Sequence, residues 1–137
     1  MARDGNNTER MVAEYLGCTA DAAGSRRCWK DRHDLRVAGN DGRTWFVEVK
    51  SHKWRTGPAS LWTLLEEAWL QLCEACIAHS QDTGEDTCCR VVVYWPTSCR
   101  RDGSALAYLQ REGSMVVMPL REFRDRFLTV EEGFDDE

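Results

Sequence analysis

Residues 34–50 read Asp-Leu-Arg-Val-Ala-Gly-Asn-Asp-Gly-Arg-Thr-Trp-Phe-Val-Glu-Val-Lys, and the reading of this stretch decides the fold. Side chains alternate faces along a strand, so Leu35 and Val37 share one side, and Asp34 and Arg36 the other. In the run that follows, Trp45, Val47 and Val49 lie on one side, with Thr44, Phe46, Glu48 and Lys50 opposite. Matching the apolar sides pairs Val37 with Trp45 and Leu35 with Val47 in an antiparallel hairpin. Asp34 then stands opposite Glu48. The connection is Asn40-Asp41-Gly42, with Gly where a type I turn followed by a left-handed residue requires it. A slip of one residue would turn Glu48 and Lys50 onto the face of Leu35 and Val37 and bury their charge. Two acids and a lysine are thus expected on one sheet face. Oxygen donors for a hard divalent ion beside a fixed cation are what metal-assisted phosphodiester hydrolysis uses. The competing account is a solvated acid at a strand start and an exposed charge pair on an antiparallel sheet.

Working outward, a helix is predicted over Thr8 to Leu16, capped by Asn6 with Glu9 three residues on. It shows Met11, Val12, Tyr15 and Leu16 on one face and ends at Gly17. A short strand is expected near Arg26 to Lys30. After the hairpin, Thr56-Gly57-Pro58 opens a long core helix to about His79, with Leu61, Leu65, Ala68, Leu72 and Cys76 at helical spacing. Ser80 to Thr87 reads as a surface loop, and Cys89 to Trp95 as a buried strand stopped by Pro96. Ser104 to Gln110 is expected to be a short helix, Met115 to Met118 a strand, and Leu120 to Leu128 a final helix. The expected class is α/β, a central mixed sheet flanked by helices.

These residues carry a family resemblance. Glu9 in an early helix, Asp34, then Glu48-Val49-Lys50, in an α-β-β-β-α-β order, resemble the PD-(D/E)xK nuclease superfamily. Asn7-Thr8-Glu9-Arg10 and Val47-Glu48-Val49-Lys50-Ser51-His52-Lys53 are most similar to the archaeal and phage-type Holliday junction resolvases. The resemblance spans roughly residues 5 to 95 in element order, and it implies a restriction-endonuclease-like αβββαβ core. It further implies that Asp34 and Glu48, with the backbone carbonyl of Val49, bind Mg²⁺ or Mn²⁺. Lys50 would position or polarise the attacking water and stabilise transition-state charge, and Glu9 would contact the metal site through water or complete a second ion site. Lys53, with Arg55 nearby, would hold a DNA phosphate. Independently of the resemblance, Trp54, just after the basic motif, is a candidate for stacking on DNA or packing against a partner, and Lys30 and Arg10 are further candidate contacts. The chain departs from the family in having Arg32-His33 before Asp34, where many members have Pro or an apolar residue.

The 137 residues suit one core, expected over 1–130, with 131–137 an acidic tail expected to be disordered. The sequence has no apolar run long enough to span a membrane and no signal-peptide pattern at Met1 to Thr8. A cytoplasmic protein of a bacterium or phage-infected cell is the expectation, its seven cysteines reduced. The net charge of −5 conceals an uneven distribution: residues 25–55 hold nine Lys/Arg against four Asp/Glu, while five acids fall in the last seven residues. A basic central segment fits phosphate contact. The chain's three lysines, against fifteen arginines, are Lys30, Lys50 and Lys53, consistent with sites that use a compact ammonium.

Several residues have two readings. Glu9 serves either the site or a capping box. Cys73, Cys76, Cys88 and Cys89 are either zinc ligands or small core thiols. His33 and His52 flank the proposed site as proton carriers or bystanders, and His79 favours a helix C-terminus. Trp62 and Trp69, seven apart, form a second apolar stripe, buried in a homodimer or under the final helix. The expected function is a metal-dependent DNA endonuclease acting as a homodimer on branched or duplex DNA. The alternatives are a restriction-type, transposon-type or flap nuclease, or a catalytically inactive nuclease-fold module binding nucleic acid or protein.

Overall fold

A computed structural model of the chain describes residues 2–17, 35–51, 58–96 and 105–128. Helix α1 (Ala2–Leu16) is followed by strands β1 (Leu35–Ala38) and β2 (Thr44–Lys50) and helix α2 (Pro58–Thr83). Strands β3 (Arg90–Tyr94), β4 (Leu106–Arg111) and β5 (Ser114–Pro119) and helix α3 (Leu120–Phe127) complete the order. One five-stranded sheet runs β1-β2-β3-β4-β5, with β2 and β3 parallel and the other neighbours antiparallel. The expected α/β class with a mixed sheet flanked by helices is present. The strand expected at 26–30 and the tail at 131–137 lie outside the described residues.

The hairpin register matches the sequence pattern: Leu35 faces Val47 and Val37 faces Trp45. Gly39 N–H donates to Arg43 O at 2.7 Å, and Gly42, at φ 88°, takes the left-handed position that closes the three-residue loop. Leu35, Val37, Val47 and Val49 then join Val91, Val93, Ala107 and Leu109 under α1 and α3, with Val12, Leu16, Leu120 and Phe123 coming from the helices. The opposite sheet face carries Phe46, Val92, Tyr94 and Tyr108 against Leu65, Ala68, Leu72 and Cys76 of α2. Three layers result.

Helix α1 starts at Ala2, so Asn6 and Glu9 lie inside it and the expected cap and capping box do not exist. Polar residues cost at most about 0.7 kcal/mol each in a helix interior, so an N-cap residue type does not oblige the helix to begin there. Helix α2 runs on to Thr83, beyond the expected end, and the loop begins at Gly84. That glycine has φ 77° and donates its N–H to Ser80 O at 2.7 Å, a left-handed C-terminal cap.

Of the segment expected as a short helix at 104–110, the described residues from Leu106 on belong instead to strand β4. Ala105, Ala107 and Leu109 bury on the α1/α3 side, while Leu106 and Tyr108 pack on the α2 side. Both sheet faces are covered, so the sequence shows no polar alternation and a short apolar run is ambiguous. The two-residue turn Glu112-Gly113, with φ 54° and 85°, supplies the hairpin geometry that fixes the strand. The final helix begins after Pro119, and its end returns to the first hairpin. There Asn40 N–H donates to Phe127 O at 2.9 Å, and Gly39 bridges Leu128.

Candidate active site at the carboxyl end of β2

Glu48 and Lys50 share the β2 face that looks toward α2, and Val49 points into the core on the other side. The Glu48 side chain is 5 % exposed and that of Lys50 is 27 % exposed, with Nζ standing 3.5 Å from Oε2. In the parallel ladder Val92 adjoins Glu48 and Tyr94 adjoins Lys50. Burial pushes the Tyr94 phenol above its ordinary pKa, so it stays neutral. The ion pair thus sits against apolar and neutral walls, where electrostatic attraction is screened less than in water.

The pair's position follows from chain direction. His79, near the end of α2, lies against Phe46 near the start of β2, with ring centroids 5.8 Å apart. Helix α2 therefore runs antiparallel to β2, and its first turns lie toward Lys50. In open α/β sheets, the crevice outside the carboxyl ends of parallel strands is where ligands bind. The Lys50 carbonyl is held by Trp95 N–H at 2.9 Å, so β3 fixes the backbone beneath the ammonium.

Helix α1 reaches the same end of β2 from the other face. Buried Thr8 donates through Oγ1 to Ser51 Oγ at 3.2 Å, one residue past Lys50. Glu9 is half-buried, with Oε1 enclosed, and Arg10 is exposed. Asp34, Lys30, Lys53, Trp54, Arg55, His33 and His52 lie outside the described residues. Glu48 and Lys50 are therefore brought together, α1 is tied to the residue that follows them, and the remaining candidates carry no structural description.

Among the described residues, no group of three or more His, Cys, Asp or Glu side chains is placed to hold a metal. Cys73, Cys76, Cys88 and Cys89 are not grouped in this way. Cys76 is buried in the core under α2. Cys88 is exposed and donates from Sγ to Asp86 Oδ1 at 2.6 Å. That contact with Asp86, helped by some burial, pushes the Cys88 thiol up, and the same bond holds the Asp86 carboxyl down. Burial raises the neighbouring Cys89 thiol, while Arg43 pulls it the other way.

Sequence reasoning missed a second polar cluster on the same sheet face. Arg36 NH2 and Glu85 Oε1 meet His79 Nε2 at 3.1 and 2.7 Å, and the Arg36 guanidinium lies 5.2 Å from the Phe46 ring centre. The hairpin register puts Arg36 opposite Phe46, but nothing in the local sequence places His79 or Glu85 there. His79 is held by tertiary partners rather than by the last turn of the helix.

Comparison with known proteins adds no relative. No family model, curated protein or solved structure matches the chain. No described helix is long and apolar enough to cross a membrane.

Proposed function

We propose that this chain is a metal-dependent endodeoxyribonuclease with a restriction-endonuclease-like core of the PD-(D/E)xK type, resembling Holliday junction resolvases. The observation that carries the reading is the Glu48–Lys50 pair at the carboxyl end of β2, with a buried carboxylate and a partly accessible ammonium 3.5 Å apart. Asp34 is bonded to Leu35, and Leu35 stands opposite Val47. This is the register in which the alternation of the sequence expects Asp34 opposite Glu48.

Two carboxylates are hard oxygen donors and suit Mg²⁺ or Mn²⁺, while the thiols of Cys88 and Cys89 stand at the amino end of β3. Asp34, Glu48 and the Val49 carbonyl would hold the ion, which supplies Lewis-acid polarisation of phosphate and water. Lys50 would orient the attacking water and offset charge developing on the phosphate. Glu9, carried by the helix that Thr8 anchors to Ser51, would contact the ion through water or complete a second ion site. Lys30, Arg10, Lys53, Trp54 and Arg55 supply the DNA surface, and a homodimer would place two such sites on a branched substrate.

The Glu48–Lys50 contact also favours a second reading, because the pair neutralises itself without an ion. A catalytically inactive nuclease-fold module that binds nucleic acid would preserve the same contact. Cleavage of a labelled four-way junction, beside matched duplex, flap and single-stranded DNA, separates the readings. The comparison uses Mg²⁺, Mn²⁺ or EDTA with wild type, Glu48→Ala and Lys50→Ala. Metal-dependent nicking lost in both variants supports the nuclease. Salt-sensitive binding without any cutting supports the module, and cutting confined to flap or duplex keeps the site but reassigns the substrate.

A further inference from the structure

Large apolar side chains exposed among the described residues fall mainly on one element. Trp62, Leu70 and Ile77 of α2 are 45, 62 and 53 % exposed. The inner face of the helix is already occupied by Leu65, Ala68, Leu72 and Cys76 against the sheet. Leu70 and Ile77 are seven residues apart, so they stand in line about 10 Å apart along the axis. Partly exposed Cys73 lies between them. Trp62 continues the ridge along its side and rests edge-on against Tyr108, with centroids 5.5 Å apart. Final helix α3 packs on the opposite sheet face, so it does not cover Trp62 or Trp69.

Charge decides what such a ridge accepts. Helix α2 carries Glu66, Glu67, Glu74 and Asp82 and no Lys or Arg over Pro58–Thr83. Its one histidine is turned toward Arg36 and Glu85. Arg90, from β3, approaches the helix at Trp69 and is bonded to Thr87 O. Two copies of α2 packed antiparallel about Leu70 would bring Glu66 and Glu67 of one against Glu74 of the other, acid facing acid. A helix with Leu or Ile on one side and Lys or Arg along its flanks meets both the ridge and its borders.

We propose that the outer face of α2 is a docking surface for a basic amphipathic helix of a partner protein. Leu70 and Ile77 form the apolar contact, and Glu66, Glu67 and Glu74 form the acidic rim that orients it. This surface is independent of the Glu48–Lys50 site, and its acidic rim turns that side of the molecule away from DNA.

The probe is a synthetic helical peptide of Leu and Lys, titrated calorimetrically into the full chain. A Leu/Glu peptide of the same pattern serves as control, and analytical ultracentrifugation follows the protein alone. The Leu/Lys peptide is expected to bind one to one, weakening with salt. Leu70→Ser with Ile77→Ser should weaken it roughly tenfold or more. Glu66→Gln with Glu74→Gln should weaken it several-fold and flatten the salt dependence. All four positions are solvent-facing, and unchanged thermal melts establish that the variants fold. Absent binding, equal binding by the Leu/Glu peptide, or unchanged binding by the double-serine variant overturns the proposal. So does a protein dimer that the double-serine variant dissociates, which would make the occupant a second copy.

Discussion

Lys50 Nζ stands 3.5 Å from Glu48 Oε2 on one side of β2, with the carboxylate enclosed and the ammonium reaching solvent. The asymmetry has an energetic consequence. Removing one partner of a fully buried pair costs about 3–5 kcal/mol, and the accessible lysine lowers that figure. Lys50→Met, which keeps the stem and deletes the charge, is expected to destabilise the fold by about 1–2 kcal/mol in urea unfolding. Adding Glu48→Gln should recover part of the loss. A Lys50→Met protein as stable as wild type would show that the pair is not coupled.

Two glycines of the first hairpin should fail for different reasons. Gly42 sits at φ 88° with open space where a side chain would go, so Gly42→Ala costs backbone strain of about 1–2 kcal/mol. Gly39 is limited by contact: a Cβ there would lie 2.9 Å from Cδ1 and Nε1 of Trp45 and 3.0 Å from Arg43 O. The Trp45 ring is itself wedged against Phe123 and Phe127, so Gly39→Ala should cost about 1–3 kcal/mol through overpacking. Asparagine separates the causes. It tolerates left-handed backbone, so Gly42→Asn should be nearly neutral and Gly39→Asn worse than Gly39→Ala.

Thiol reactivity on the loop before β3 should follow its charged neighbours. Asp86 accepts the Cys88 Sγ–H and holds that thiol above its ordinary pKa. Asp86→Ala removes acceptor and charge together, lowers the Cys88 pKa and raises the thiolate fraction. Iodoacetamide modification of Cys88 at pH 8, located by peptide mass spectrometry, should therefore speed up. For Cys89 burial is the main upward influence, with Arg43 opposing it, so Arg43→Ala should slow its modification. A Cys88 rate indifferent to residue 86 would break the link.

The Arg36, His79 and Glu85 cluster joins β1, α2 and the loop after α2 through contacts of 2.7 to 3.7 Å. His79→Ala and Glu85→Gln should each destabilise by about 0.5–1.5 kcal/mol. Their double variant should lose less than the sum, with a coupling of about 0.5 kcal/mol or more. Strict additivity in thermal and urea unfolding would show that the contacts carry no joint stability.

How much was legible depended on how far apart the interacting residues lie. The β1–β2 register could be read because an alternating run, a three-residue loop ending in Gly42 and the cost of burying Glu48 and Lys50 all select one pairing. Helix α2 is legible from Leu65, Ala68 and Leu72, and its end is marked by Gly84 rather than by His79. Strand β4 does not show in the local pattern because Ala105 to Leu109 is apolar toward both sheet faces. The left-handed Glu112-Gly113 turn is the local feature that marks the hairpin.

Local sequence by itself therefore determined the hairpin, the shared face of Glu48 and Lys50 and the inner stripe of α2, because each follows from backbone periodicity and the penalty for burying charge. Tertiary structure alone decided that β2 and β3 run parallel, which places the pair at the carboxyl end of two parallel strands. It also decided that Thr8 meets Ser51, that His79 meets Arg36 and Glu85, and that α3 covers the face opposite α2, leaving Leu70 and Ile77 exposed. The Thr8–Ser51 and Arg36–His79 contacts each span 43 residues, Glu85 joins from the loop beyond the helix, and the rest are choices of which face another element covers. Periodicity along a chain states which side of an element is apolar, and only packing states what that side meets.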